Sequence, residues 1–215
     1  MEIADGTYSR NLTYRCGTVP EVIKSIKRLE NLPQAIISKA LEIANEKLAK
    51  SEYKIYKGPN KDELICYCVL MAYIQLRYPI DPDYLLLKLG MTSNCMTRAL
   101  YKNLDEGGTF RIAPMTMLEF YLNRLKEVKR LQIDSESIRK DFVSITKDIS
   151  NTPAGVEYYE NTETKKVTVG TLYFILKDMY TISITPAEAE EIFCDTHQRI
   201  LDSCRKISQL YNSIN

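Results

Sequence analysis

The most distinctive pattern in the chain is an apolar run at residues 64–74, which read LICYCVLMAYI and include no charged side chain. A surface helix has an apolar stripe and a polar face, so a helix that is apolar all round is buried. The run therefore predicts a central helix at about residues 61–77, against which other helices pack. We name it the first hub helix.

Capping patterns and apolar spacing predict four more helices in the first half of the chain. Their start signals are Thr18 with Glu21, Asn31 with Pro33, Asp81 with Pro82, and a position near Thr92. Gly90 separates the last two helices, since glycine readily adopts the left-handed backbone that ends a helix. Residues 18–108 are thus predicted to form a five-helix unit, and residues 1–17 an extended arm or linker.

The second half of the chain shows the same kinds of pattern. Apolar residues at helical spacing predict helices that begin at Pro114 and Ser135. Residues 151–166 are polar and include proline and glycine, a composition that predicts a mobile loop. A second apolar run, VGTLYFIL at residues 169–176, predicts a second hub helix.

Two three-residue motifs reveal an internal repeat. Ile184-Thr185-Pro186 reproduces Ile80-Asp81-Pro82 as an apolar residue, a helix cap and a first-turn proline, 104 positions later. The same offset relates Leu64 to Thr168, Val69 to Tyr173, Leu85 to Ala189, Leu89 to Phe193, and Met96 to Ile200. A constant offset over about forty positions predicts a tandem duplication. The expected fold is therefore all-α, with units at residues 18–108 and 109–215.

Composition and charge exclude several classes of function. The formal net charge is +1, so any DNA contact must come from a local basic face and not from overall charge. Each apolar run is too short to span a bilayer, which takes roughly 20 residues, and no signal peptide is evident. We expect a soluble intracellular protein that has no membrane partner. The six cysteines lack zinc-site spacing and are expected to be reduced thiols in apolar surroundings.

No motif in the sequence supports an enzyme. A glycine-rich phosphate loop, a Ser-His-Asp set and a histidine-carboxylate cluster are all missing from the sequence. His197 is the single histidine, and no second ligand stands at metal-binding distance along the sequence. We therefore expect neither catalysis nor a bound metal.

Several local motifs, taken in order, resemble the cyclin-like repeat of transcription factor IIB and its archaeal counterparts. They are residues 62–74, Gly90-Met91-Thr92-Ser93, residues 98–104 and, more weakly, residues 196–207. The resemblance covers nearly all of residues 18–212. It implies two tandem cyclin-like five-helix repeats. It also implies a general transcription initiation factor that binds promoter DNA with TATA-binding protein and helps to recruit RNA polymerase in the nucleus.

Some positions depart from that family pattern. Cys194 stands where the second repeat of the family usually has glycine, and residues 151–166 form an unusual insertion. Cys16 has no cysteine nearby, so the family's amino-terminal zinc ribbon is missing from this sequence. The divergence resembles that of members encoded by large DNA viruses, which implies a cytoplasmic viral factory as the location. No cofactor is expected in this chain, and a zinc ribbon is expected upstream in a longer protein.

The resemblance also implies which residues bind DNA. The predicted helix pair at residues 185–210 has the form of a helix-turn-helix, whose second helix enters the major groove in the family. The residues expected to contact DNA are His197, Gln198, Arg199, Arg205 and Lys206, with Asn94 and Arg98 in the first repeat. Asp202 faces the same way and would repel phosphate. The alternative interpretation is an ordinary solvated helix face.

Basic residues also cluster on the first predicted helix of each unit. They are Lys24, Lys27 and Arg28 in the first unit, and Arg124, Lys126, Lys129 and Arg130 in the second. These side chains could contact phosphate or acidic surfaces of RNA polymerase. The alternative is that they only solubilise the protein, because glutamates are interspersed among them.

Two other functions remain open at this stage. A cyclin or cyclin-box adaptor that activates or scaffolds a protein kinase would use the same five-helix unit. Cyclins commonly carry a tryptophan in the first repeat and a lysine–glutamate pair between its third and fifth helices. This chain has no tryptophan and no glutamate at residues 92–104, which favours the transcription factor. The third possibility is an interaction scaffold that has lost DNA contact.

Overall fold

The structure is a computed structural model that describes residues 21–50, 58–103, 112–130 and 133–214. These residues form eleven α-helices and no strand, which confirms the predicted all-α class. The predicted arm at residues 1–17 and the capping box at Thr18 lie outside the described residues. In the part of the chain that is described, no helix combines the length and the apolar character needed to cross a membrane.

The chain divides into two compact units. The first unit holds residues 21–50, 58–78 and 82–103, and the second holds residues 79–81, 112–130 and 133–214. The first unit consists of α1 (Glu21–Lys27), α2 (Gln34–Lys50), α3 (Pro59–Gln75), α4 (Pro82–Leu89) and α5 (Ser93–Asn103). Helix α3 is the first hub helix, and it packs against α1, α2, α4 and α5.

The first hub helix is buried on all sides, as its apolar run predicts. All side chains from Glu63 to Leu70 are buried, as are Ala72 and Tyr73. Burying an average leucine or isoleucine side chain stabilises a fold by about 1.5–3 kcal/mol. The hub helix is therefore the main source of core contacts in the first unit.

The second unit contains six helices. They are α6 (Pro114–Lys129), α7 (Ser135–Ser150), α8 (Pro153–Asn161), α9 (Thr164–Phe174), α10 (Pro186–Phe193) and α11 (His197–Asn212). Helix α9 is the second hub helix and continues as a π-helical segment at Ile175–Met179. Its side chains are buried from Val167 to Leu176.

The predicted mobile loop at residues 151–166 is wrong, because this stretch contains α8 and the start of α9. The Thr152 hydroxyl accepts a hydrogen bond from the Gly155 amide at 3.0 Å, and Pro153 occupies the first helical turn. A capping threonine followed by proline is a standard helix start. The polar composition of the stretch concealed this signal.

The backbone repeats at the same offset as the sequence motifs. Helices α4 and α10 begin 104 positions apart and end 104 positions apart, and α5 and α11 begin 104 positions apart. Left-handed residues follow the same rule, because Arg77 (φ 56°) matches Thr181 (φ 52°), and Gly90 (φ 64°) matches Cys194 (φ 49°). The offset thus extends from residue types to backbone conformation.

Replacing Cys194 with glycine should stabilise the protein by about 0.5–1 kcal/mol. A left-handed backbone costs a residue with a side chain about 1–2 kcal/mol, and the greater flexibility of unfolded glycine offsets part of that gain. Chemical denaturation of Cys194→Gly would measure the change. Gly90→Ala is the matched control: its new Cβ meets nothing within 4 Å, so strain alone should destabilise it by about 1 kcal/mol. Destabilisation by Cys194→Gly would contradict the prediction.

Candidate nucleic-acid interface

Helices α10 and α11 hold the candidate DNA-binding residues of the second unit. Helix α10 begins with a capping box, in which Thr185 and Glu188 satisfy each other's backbone amides. Helix α11 buries Ile200, Cys204, Ile207 and Leu210 on one face. The opposite face is therefore exposed, and it presents Gln198, Arg199, Arg205 and Lys206, while His197 at the helix start is partly buried.

Asp202 occupies the middle of this exposed face and has two partners there. Its carboxylate accepts a hydrogen bond from the Gln198 amide at 2.9 Å and forms an ion pair with Arg205 at 2.9 Å. Arg199, which is 71% exposed, lies 3.5 Å from Asp195. The Arg205–Asp202 pair is exposed on both sides, and such pairs contribute only about 0–1 kcal/mol, so a phosphate could replace Asp202 as the partner of Arg205. The Asp195 carboxylate is only 16% exposed.

A carboxylate also occupies the amino-terminal end of α11. The backbone amide of His197 donates to Glu190 Oε1 at 2.9 Å, whereas the Thr196 side chain makes no capping bond. Helix amino termini attract anions because their amides are unpaired and the helix dipole is positive there. Here Glu190 of helix α10 already provides the anion, so recognition by this end depends on side chains.

Lys206 differs from the arginines on the same face. Its side chain is exposed and makes no hydrogen bond or ion pair with any residue that the structure describes. Three cations (Arg199, Arg205 and Lys206) therefore share this surface with two carboxylates, Asp195 and Asp202. We name these five residues together with Gln198 the α11 face. Its net charge is +1, which is weakly basic.

Two predicted phosphate contacts in the second unit are engaged in helix packing. Arg124 contacts Glu127 at 2.8 Å and Glu191 at 3.4 Å, and Lys129 contacts both Glu188 oxygens at 2.9 Å. The two cations are only 16% and 15% exposed. They join α6 to α10. Lys129 and Thr185 lower the pKa of Glu188 to about 2.

The other predicted phosphate contacts lie on the surface. Lys126, Arg130, Lys27 and Arg28 are exposed. Lys24 forms an ion pair with Glu21 one helical turn away, at 3.3 Å. Arg28 and Arg130 each lie just beyond the end of a helix, and Arg130 has a left-handed backbone. The structure thus leaves four of the seven predicted cations exposed outside the ion pairs described above.

Helix α5 of the first unit presents a different surface. Asn94 and Arg98 are exposed as predicted, and Tyr101, three residues further along the helix, is 88% exposed. The helix contains no acidic residue. Tyr101 was not among the predicted contact residues, although its helical spacing from Asn94 and Arg98 indicates a shared face. An exposed tyrosine beside an arginine can stack on or bond to a partner.

One ion pair of the first unit joins two distant stretches of sequence. Lys102 of α5 contacts the carboxylate of Glu63 of α3, and it also donates to Asn60 Oδ1 at 2.9 Å. The Glu63 side chain is buried, whereas Lys102 is half-exposed. A lysine–glutamate pair thus joins the third and fifth helices, with the acid on the third helix and the base on the fifth.

An apolar cavity of about 490 Å³ lies in the second unit, against the helix that sequence analysis missed. Met115, Phe142, Val143, Tyr159 and Val167 line it, together with small and hydroxyl-bearing residues. Tyr159 belongs to α8, and burial raises the pKa of its phenol. Because a loop prediction for residues 151–166 places no helix there, the sequence does not predict this cavity.

Within the described ranges, no group of three or more His, Cys, Asp or Glu side chains is placed to hold a metal ion. Comparison with known proteins adds no constraint: no protein-family model matches the chain, and no curated protein matches it either.

Proposed function

We propose that this protein is a transcription initiation factor of the factor IIB type and that its two units are cyclin-like repeats. On this proposal it binds promoter DNA together with TATA-binding protein and helps to recruit RNA polymerase. It acts by binding and carries out no chemistry of its own. It works in the nucleus, or in a cytoplasmic factory if a large DNA virus encodes it.

The observation that carries the proposal is the repeated order of helices. Each unit packs helices around a buried hub helix, follows it with a proline-initiated short helix, and ends with a longer helix. The left-handed residues that separate these helices recur 104 positions apart. This arrangement agrees with the tandem repeats that the sequence motifs suggest, and the last helix pair has the order of a helix-turn-helix.

The α11 face supplies the side chains for DNA contact. Arg205 and Lys206 are suited to phosphates, and Gln198 and Arg199 to the edges of adenine and guanine. Asp202 holds Gln198 and Arg205 in the free protein. We expect both side chains to exchange this carboxylate for DNA. The affinity for DNA should therefore be low at high salt and should change when Asp202 is replaced.

Replacing Arg205 and Lys206 with alanine should weaken binding to a TATA-containing duplex by roughly 100-fold or more, because hydrogen bonds to charged groups contribute about 1.5–3 kcal/mol each. Each lost phosphate contact lowers the log–log salt slope by about 0.9, so the slope should fall by about 2. Fluorescence anisotropy with and without TATA-binding protein, at several salt concentrations, would measure both effects.

Lys140→Ala with Lys147→Ala is the matched control, since it removes two exposed cations from α7 of the same unit. It should leave the salt slope almost unchanged. Asp202→Asn should strengthen binding, because it removes the competing carboxylate. Equal loss from both double variants would place the DNA contact away from the α11 face. No DNA binding at low salt, alone or with TATA-binding protein, would reject the proposed function.

One observation favours the second candidate, a cyclin or cyclin-box adaptor for a protein kinase. The Glu63–Lys102 pair joins the third and fifth helices of the first unit, as the lysine–glutamate pair of cyclins does, but with the residues exchanged. Because Glu63 is buried, the pair supports helix packing here. A kinase that co-purifies with the chain, in the absence of DNA binding, would favour this candidate. A scaffold without DNA contact would show neither a co-purifying kinase nor DNA binding.

A further inference from the structure

Four sulfur atoms lie together between helices α3 and α5 of the first unit. The Cys66 thiol donates a hydrogen bond to Met96 Sδ at 3.6 Å, and the Cys95 thiol donates to Met91 Sδ at 3.8 Å. The Cys66 and Cys95 thiols are close enough for each to affect the pKa of the other. Two cysteine–methionine contacts thus lie side by side, because Cys95 and Met96 are neighbours in the chain, and the four residues form one group. We name it the sulfur cluster.

The cluster extends from the core to the surface. Cys66 is fully buried and Met96 is 7% exposed, whereas Cys95 and Met91 are partly exposed. Local backbone structure fixes the outer end, because the Met91 amide donates to the Leu86 carbonyl at 2.9 Å after the left-handed Gly90. An ion could thus enter from the Cys95 side and meet ligands that the fold already holds close together.

The chemistry of these ligands selects a soft metal ion. Thiolate and thioether sulfur prefer Cu(I), whereas hard cations such as Mg²⁺ and Ca²⁺ require oxygen ligands. Structural zinc sites use four cysteine or histidine ligands, and the cluster has only two cysteines. We propose that the sulfur cluster is a Cu(I) site, in which Cys66 and Cys95 bind as thiolates and Met91 and Met96 add thioether contacts.

Binding of Cu(I) at this site requires no change in the oxidation state of the metal or of the sulfur atoms. One Cu(I) ion displaces the protons of two thiols, which gives a bis-thiolate complex of charge −1 and releases two protons to solvent. Burial raises the pKa of both thiols, and at Cys95 the acids Glu63 and Asp62 raise it further while the Arg98 guanidinium lowers it. A metal ion deprotonates a coordinating thiol outright, so buried thiols can still serve as ligands. The proposal changes the expectation, made from cysteine spacing, that these thiols only pack.

The test is an anaerobic titration of the full chain with Cu(I), in competition with the coloured chelator bicinchoninate. We expect one equivalent of Cu(I) to be withheld from the chelator, with ultraviolet absorption from Cu(I)–thiolate bonds. Zn²⁺ should not bind comparably. Cys95→Ser should lower the Cu(I) affinity by more than about 100-fold, since loss of outer-shell partners alone costs about 10–100-fold. Because Cys95 is partly exposed, this variant avoids disturbing the core.

Two further variants distinguish ligand loss from misfolding. Met91→Leu nearly conserves apolar volume and should lower the affinity about tenfold, within the range for a supporting contact, while thermal unfolding stays almost unchanged. Cys204→Ser removes a buried thiol of the second unit and should leave the affinity unchanged. If the wild-type chain yields all its Cu(I) to bicinchoninate, or if Cys95→Ser retains Cu(I) equally well, the proposal is overturned and the cluster is a packing contact.

Discussion

Replacing Asp81 with asparagine should lower the free energy of unfolding by about 3–5 kcal/mol, the usual cost of breaking a buried ion pair. The Asp81 side chain is 0% exposed and lies 3.1 Å from Lys165 Nζ. It also accepts a hydrogen bond from the Tyr121 hydroxyl at 2.8 Å. All three residues belong to the second unit. Asparagine keeps the size of the side chain but removes the buried negative charge that faces the Lys165 ammonium.

Urea denaturation, followed by circular dichroism, would measure this loss. Asp178→Asn is the matched control, because Asp178 is an exposed aspartate of the same unit, and it should change stability by less than about 0.5 kcal/mol. The double variant Asp81→Asn with Lys165→Met should recover part of the loss, since neither charge then remains in the core. Equal stability of the wild type and Asp81→Asn would contradict the buried ion pair.

Replacing Gly155 with alanine should destabilise the second unit by about 2–3 kcal/mol, towards the upper range of overpacking effects. The added Cβ would lie 1.9 Å from the Ile149 carbonyl oxygen. That oxygen cannot move freely, because it accepts hydrogen bonds from the amide and the hydroxyl of Thr152, at 3.0 and 2.9 Å. Alanine favours a helix over glycine by only about 1 kcal/mol, so the clash should dominate.

Ala154→Gly is the control for this prediction, since Ala154 is exposed on the same helix. It should cost about 1 kcal/mol through helix propensity alone. Hydrogen exchange would show where Gly155→Ala acts, with faster exchange expected at residues 153–161. If Gly155→Ala were stabilising, the close packing of α8 on the end of α7 would be wrong and the predicted loop would regain support.

The parts of the fold that depend on local pattern were predictable. The hub helices follow from charge-free runs, and the start of α10 follows from Thr185 and Pro186, as the structure confirms. Helix α8 was missed although Thr152 and Pro153 carry the same starting signal. Its polar sequence, which contains Gly155, outweighed that signal, because a close backbone approach that requires glycine is visible only in three dimensions.

The candidate site was less predictable, because its electrostatics depend on partners far away in sequence. Lys129 is 59 positions from Glu188, and no local pattern indicates that the two side chains meet. The sulfur cluster likewise joins Cys66 to residues near position 95. The apolar spacing of a helix predicts which of its faces is exposed, but only packing determines which of the charges on that face already have partners.

The carboxylate of Glu190 already binds the amino-terminal end of helix α11. Because the His197 amide already donates to this carboxylate, an incoming phosphate cannot simply add a hydrogen bond there. It must displace Glu190, so the free energy gained at this position is the difference between two similar bonds. An anion at the amino-terminal end of α11 would therefore gain little over the tethered carboxylate that it replaces, and this leaves recognition there to the neighbouring side chains.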